Sequence, residues 1–350
     1  MSSSNVSVLT NEKLTALSSV YVSALIPSLI GSCSVVVLAI VKRKKLNEQA
    51  KPLFQLALAD FLASLVLFCT TIINFLSYET LPKSEILCTY GLPLSLTFYF
   101  ISFLLVVIYA YESVHTAQGW RERGGEEHTR QGRCRPFDFL YVFVWLMPLM
   151  GYVIYIRTMS LTQVSYIPAS KASNVGNNIW PEAKFCNSCI LFLHLHIDDN
   201  FCSTVDTNHN NIIRGFTFAS VLSVLICCTL VYWRLQSWYR RYEQVGIFTE
   251  SQRCLGRIWS SALYMILVFI FCWTPALILI SLSFAFSESN RLYPLFVIQA
   301  MSVSLQGLLN CIAYAWRRRN FREAVFGERL PLLAYTNKAF FEQSLSETRQ

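Results

Sequence analysis

Charge is scarce in this sequence. Asp, Glu, Lys and Arg make up 14% of its 350 residues, against 54% for the hydrophobic types, where soluble domains carry about 25% charge. That shortage, with a mean hydropathy of +0.41, excludes an ordinary soluble chain and leaves a membrane protein. Two further absences narrow the function. There is no internal repeat, which argues against the doubled-half design of many transporters. There is also no H-E-x-x-H motif and no nucleophile with a paired base, and His115, His128, His194, His196 and His209 all fall between apolar runs. An enzyme is therefore not expected.

What the chain does have is long apolar stretches. A helix needs about 20 apolar residues to cross a bilayer core of about 30 Å, and seven stretches qualify: residues 17–41, 52–76, 86–112, 137–156, 213–233, 258–284 and 294–316. Lipid offers no partner for an open backbone group, so each is read as a helix. The expected fold is an all-α membrane protein, one seven-transmembrane-helix bundle over 17–316, with a long loop at 157–212 between spans four and five.

Basic residues orient this bundle. Assigning alternate loops to opposite sides places 22 of the 29 Lys and Arg on one face, including Lys42 to Lys45 and Arg317 to Arg319. The other seven, Lys13, Lys83, Arg157, Lys171, Lys184, Arg214 and Arg291, fall on the opposite side. The positive-inside rule then sets residues 1–16 outside and the 327–350 tail in the cytoplasm. The net charge of +8 belongs to the cytoplasmic surface, favouring anionic lipid headgroups and acidic partners over nucleic acid. The first segment reads as an N-outside signal anchor without a cleavable leader. Asn5-Val6-Ser7 is a glycosylation sequon on that outer side.

Four of the twelve cysteines are external: Cys88, Cys186, Cys189 and Cys202. They allow three pairings, among which the sequence does not choose. Cys88, at the outer start of span three, is the anchor, with Cys202, closest to span five, as first-choice partner.

Span six contains Phe269, Cys272, Trp273 and Pro275 in the pattern F-x-x-C-W-x-P. Pro275 cannot donate to the carbonyl of Phe271, so a kink and a hinge are expected there. Phe269, Trp273 and Leu277 are spaced by four and share a face; a Pro-kinked helix with a buried aromatic stripe is the bland alternative. In span seven Ser302, Gln306, Asn310 and Tyr314 also recur every fourth residue, a polar stripe that must face the bundle interior. Asp60 is the only carboxylate deep in a span, where a bare charge costs several kcal/mol. It reads either as functional or as a protonated carboxyl hydrogen-bonded to Asn310.

These residues resemble rhodopsin-like, class A G-protein-coupled receptors. Gly31-Ser32-x-x-Val35 is similar to the family's first-helix motif with Ser for Asn, Asp60 falls on the second-helix aspartate, and Trp145 and Pro148 suit the fourth helix. The resemblance places Ser102 on a sodium-binding serine, so Asp60, Ser102, Gln306 and Asn310 would supply oxygens to Na⁺, with Ser32 and Gly307 standing where polar partners are usual. Phe321-Arg322 implies a short amphipathic helix over 317–326. Departures also exist. Glu112-Ser113-Val114 stands on the D/E-R-Y triplet, so the arginine that meets the G protein is missing. Cys311 replaces a proline, span five has none, and Gln306-Gly307 resembles the seventh helix of secretin and cyclic-AMP receptors. The overall likeness is to the transmembrane protein 116 family, through Cys272-Trp273-x-Pro275, Gln306-Gly307-Leu308-Leu309-Asn310-Cys311 and Pro331-Leu332-Leu333.

By that resemblance an outer ligand pocket is lined by Ser95, Leu96, Tyr99, Phe100, Trp273, Ala276, Leu277, Ile280 and Ala300. Ser95 stands at the amine-binding aspartate position, so an apolar or weakly polar ligand is expected rather than an amine. Span seven lacks lysine, which excludes a retinal Schiff base. In the long loop, alternation over 189–198 suggests a strand or hairpin lid. His194, His196 and Asp198 would share a face, yet three ligands without a fourth do not define a zinc site. In the tail, Glu328, Leu332 and Leu333 match the acidic dileucine form used for endosomal sorting, a short motif that often arises by chance; a plasma or endosomal membrane is expected.

The leading expectation is an orphan receptor-like protein that passes an external signal, by rearrangement of spans six and seven, to a G protein or another cytoplasmic transducer. The alternative is a non-signalling scaffold or trafficking protein with a receptor-like fold, and a transporter ranks below both.

Overall fold

The computed structural model describes residues 11–41, 51–75, 84–122, 136–162, 166–167, 187–192, 204–243, 250–285 and 291–313. Six helices are long and apolar enough to cross a membrane: α1 (Asn11–Val41), α2 (Lys51–Ile72), α3 (Ser84–Glu122), α4 (Pro136–Thr162), α5 (Thr204–Glu243) and α6 (Glu250–Ala285). A 3₁₀ turn, Ile73–Phe75, closes α2. Most run past the expected spans at one or both ends. Helix α5 begins with polar residues and finishes in the basic run through Arg240 and Arg241.

The seventh apolar segment differs from expectation. In place of one helix over 294–316 there are two pieces, α7 (Tyr293–Ser304) and α8 (Gln306–Cys311). At the break Leu305 has φ −80° and ψ −4°, well short of the ψ of about −42° in a regular helix. The helix unwinds at that one residue.

Helix α6 is continuous through Pro275. Among the described residues, the interruption in the helix pair expected to move lies in the seventh segment.

The helices close on themselves. Helix α3 packs against α2, α4, α5 and α6, while α7 and α8 each touch both α1 and α6. Gly307 brings α8 close to α1, because a Cβ there would collide with the Ser28 hydroxyl and lie 2.6 Å from that of Ser32. Glycine at this position is a packing requirement.

Of the stretch 189–198, where a strand or hairpin lid is expected, only residues 189–192 are described, and these do not form a strand. The long loop's described pairing is parallel and two residues long, Tyr166–Ile167 (β1) with Asn187–Ser188 (β2), and β1 lies against α3. Cys189 to Phe192 follow as a bend and turn. The positive φ of Phe192, 64°, is incompatible with a strand running on through it. All four of these residues are buried. Cys189 is disulfide-bonded. The segments that hold Cys202, His194, His196, Asp198, Asn5, Tyr314, the 317–326 helix, Glu328, Leu332 and Leu333 lie outside the described residues. The side chain of Cys88 does too.

Candidate functional site

A polar cluster sits in the middle of the bundle, built from three helices. Asp60 on α2 is 1% exposed, and three donors converge on its carboxylate. Ser102 Oγ from α3 donates to Oδ1 at 2.8 Å. Gln306 Nε2 from α8 donates to the same oxygen at 2.9 Å, and Asn310 Nδ2, one turn further along α8, donates to Oδ2 at 2.7 Å. Gln306 Nε2 also donates to Ser102 Oγ at 3.1 Å. A lone carboxylate in an apolar interior is costly, whereas one that accepts several hydrogen bonds is compensated.

The cluster reaches a fifth residue on another helix. Trp273 on α6 is fully buried, and its indole Nε1 donates to Gln306 Oε1 at 2.6 Å. An indole N–H can only donate, so it fixes the Gln306 amide with its oxygen toward Trp273 and its nitrogen toward Asp60. The result is a continuous chain, Trp273 to Gln306 to Asp60, joining α6, α8 and α2. Aromatic contacts hold the indole in place: Phe103 meets it edge-on at 4.6 Å and Phe269 at 4.9 Å from Phe103 extends the stack. Tyr99 closes the other side at 5.5 Å.

The structure thus brings Asp60, Ser102, Gln306, Asn310 and Trp273 together. Ser302, on the same stripe, is buried but bonds the Gln299 carbonyl within its own helix. Cys272 and Ala276 are buried beside Trp273 in sequence, while Leu277 is only partly buried. The inward face of α6 therefore runs Phe269, Cys272, Trp273, Ala276, Leu279, Ile280. It follows the helical period of 3.6 rather than the strict spacing of four that included Leu277.

Of the expected pocket residues, Ser95, Tyr99, Ile280 and Ala300 are buried, and Leu96 and Phe100 pack against the core from its edge. Ser95 Oγ donates to the Ala63 carbonyl at 3.0 Å, so its hydroxyl ties α3 to α2. Among the described residues, Gln299 Nε2 and Ser304 Oγ have no hydrogen-bond partner.

Sequence reading missed several contacts. Ser32 Oγ donates to Ser28 O at 2.6 Å, and Ser28 Oγ meets Ser64 Oγ at 3.2 Å, so these hydroxyls knit α1 to α2 beside Gly307. Tyr141 on α4 donates to Glu112 Oε2 at 2.7 Å, engaging the carboxylate that stands next to Ser113. Tyr21 on α1 donates to Gln299 Oε1 on α7 at 3.0 Å.

The residues of this cluster lie within a single family match. The family model described as Transmembrane protein 116 matches residues 17–329. The chain belongs to the transmembrane protein 116 family. That match takes in every helix from Leu17 in α1 to the end of α8, so the polar cluster is part of the family domain. With the six long apolar helices, membership identifies a multi-pass membrane protein.

Proposed function

We propose that this transmembrane protein 116 family member is a receptor-like signal transmitter: a seven-segment bundle of the G-protein-coupled-receptor type, amino terminus outside and tail cytoplasmic. The observation that carries the reading is the hydrogen-bond chain from Trp273 through Gln306 to Asp60. It couples α6 to the broken seventh segment and to α2, so a stimulus that displaces the indole also removes a donor from Gln306. Such a stimulus shifts populations only to the extent that it favours one arrangement over the other. Pro275 in α6 and the unwound Leu305 are the places where the two elements can yield. The cytoplasmic partner is a G protein or another acidic transducer surface docking on the basic ends of α5 and α6.

Sodium, in this reading, competes with the Trp273 bond. A hard cation needs oxygen ligands, and Asp60 and Ser102 offer them, but Gln306 and Asn310 present nitrogen to the same space. Turning the Gln306 amide to expose its oxygen breaks its bond to Trp273. The arrangement described therefore does not fit a bound cation, and sodium binding belongs to the rearranged state.

The bonded external Cys189 follows β2, which is held beside α3, so its partner in this reading is Cys88 at the start of that helix. The bridge then fastens the loop to the bundle mouth.

Glu112 is engaged by Tyr141, and Ser113 replaces the transducer arginine, which favours as second reading a non-signalling scaffold or trafficking protein. The two are separated by a conformational sensor between the inner ends of α5 and α6, screened against ligands and G proteins. A response lost in Trp273→Ala at intact surface expression supports signalling. No response from any transducer across the panel leaves the scaffold.

A further inference from the structure

Arg214 is the observation that neither the family nor the relay accounts for. The distribution of basic residues places it on the side opposite the basic face, at the start of span five, yet it is 8% exposed and lies on the inward stripe of α5. That stripe, Arg214, Thr217, Val221, Val224 and Cys228, is buried along its length and has the alternating three and four spacing of one helix face. Arg214 Nη2 donates to the carbonyl of Phe192 at 3.0 Å. Its Nε is buried with no partner, and no carboxylate among the described residues meets the guanidinium. The carbonyl it holds belongs to the buried turn Cys189–Phe192, whose last residue has the positive φ.

A buried charge without a counter-ion costs several kcal/mol. One bond to a carbonyl does not require that charge, since a neutral amide donor would pin the turn equally well. What a guanidinium adds is planar, charge-assisted recognition of an oxyanion. The turn it holds carries Ile190, Leu191 and Phe192, all apolar and buried, which suits an acid with an apolar body.

We propose that Arg214, beneath the Cys189–Phe192 turn, is an anion-recognition site that takes the carboxylate of a small apolar acid or an equivalent oxyanion from a lipid headgroup. Its place in signalling rests on the receptor reading; the binding itself does not. The anion pairs with the free edge of the guanidinium and competes with Phe192 for its donors, so occupancy loosens the turn.

The test uses the full-length protein in nanodiscs of zwitterionic lipid, with octanoate, octanol and octylamine as probes and thermal unfolding as readout. Ligand binding to the folded state raises the midpoint. Octanoate is expected to raise it more than octanol does, and octylamine not at all. Arg214→Gln is expected to weaken octanoate by about tenfold or more, as loss of a charge-assisted contact does, while Arg214→Lys keeps part of the effect. A parallel arm adds phosphatidic acid to the nanodiscs. A rise found only there, and dependent on Arg214, supports the same anion site filled from the bilayer. Equal shifts for octanoate and octanol without a phosphatidic acid effect would overturn the proposal, as would an anion effect that survives Arg214→Gln. Should Arg214→Gln fail to fold, the octanoate and octanol pair on the unaltered protein and on Arg214→Lys still decides. Anion binding with no movement of α5 against α6 removes the receptor reading and keeps this site; movement without Arg214-dependent anion binding does the reverse.

Discussion

Gln306 is the residue on which the interior depends, because its amide is used at both ends. Its oxygen accepts from Trp273 and its nitrogen donates to Asp60 and Ser102. Trp273→Phe keeps an aromatic ring against Phe103 but leaves the Gln306 oxygen without a donor. An orphaned buried acceptor costs about 1–3 kcal/mol, so thermal unfolding of the purified variant should fall accordingly. Asp60→Asn turns the logic around. An amide in that place must direct its own N–H groups at Ser102, Gln306 or Asn310, which are themselves donors toward Asp60. A comparable loss of stability is expected, and combining it with Trp273→Phe should cost less than the sum, because both act through Gln306. Strict additivity in that cycle would mean that the two contacts are independent. Much of this cluster was legible from spacing: Gln306 and Asn310 lie on one helical stripe, and Asp60 is a carboxylate with nowhere else to go. The bond from Trp273 to Gln306 was not, since each residue was assigned to its own helix and nothing in the sequence states which side chains cross between them.

At the scale of elements, the six long helices follow from hydropathy alone, while their ends do not. Helices α3 and α5 carry on as helix beyond the apolar runs, where polar residues tolerate helix as well as water. The break at Leu305 was hidden because Ser304-Leu305-Gln306 contains neither proline nor glycine, and the nearby Gly307 read as a lost polar partner. In the fold it is a contact surface. Gly307→Ala places a methyl against the Ser28 and Ser32 hydroxyls, overpacking worth about 1–3 kcal/mol. Adding Ser28→Ala and Ser32→Ala should restore part of that loss in a thermal unfolding assay, since the hydroxyls are what the methyl meets. No recovery would show that α8 is held off α1 by something else. The burial of Arg214 was hidden for a related reason: at the start of the expected span it reads as a basic flank, although α5 starts well before it and turns it inward.

For the whole molecule, helix α3 packs at the centre of a closed arrangement in which α1 meets α7 and α8, which hydropathy cannot arrange and contacts do. The proposed orientation rests on the distribution of basic residues and is checked at Asn5: an external amino terminus predicts a glycan whose removal, or Asn5→Gln, speeds the protein on a gel. An unmodified Asn5 with a tail label protected from cytoplasmic protease would reverse the assignment. The claim on which the rest stands is that the polar chain restrains α6, so the most direct measurement is the distance distribution between spin labels at Arg240 on α5 and Arg253 on α6. The unaltered protein should show one dominant separation, and both Trp273→Phe and Asp60→Asn should move population to a longer one. Identical distributions in all three proteins would contradict the account.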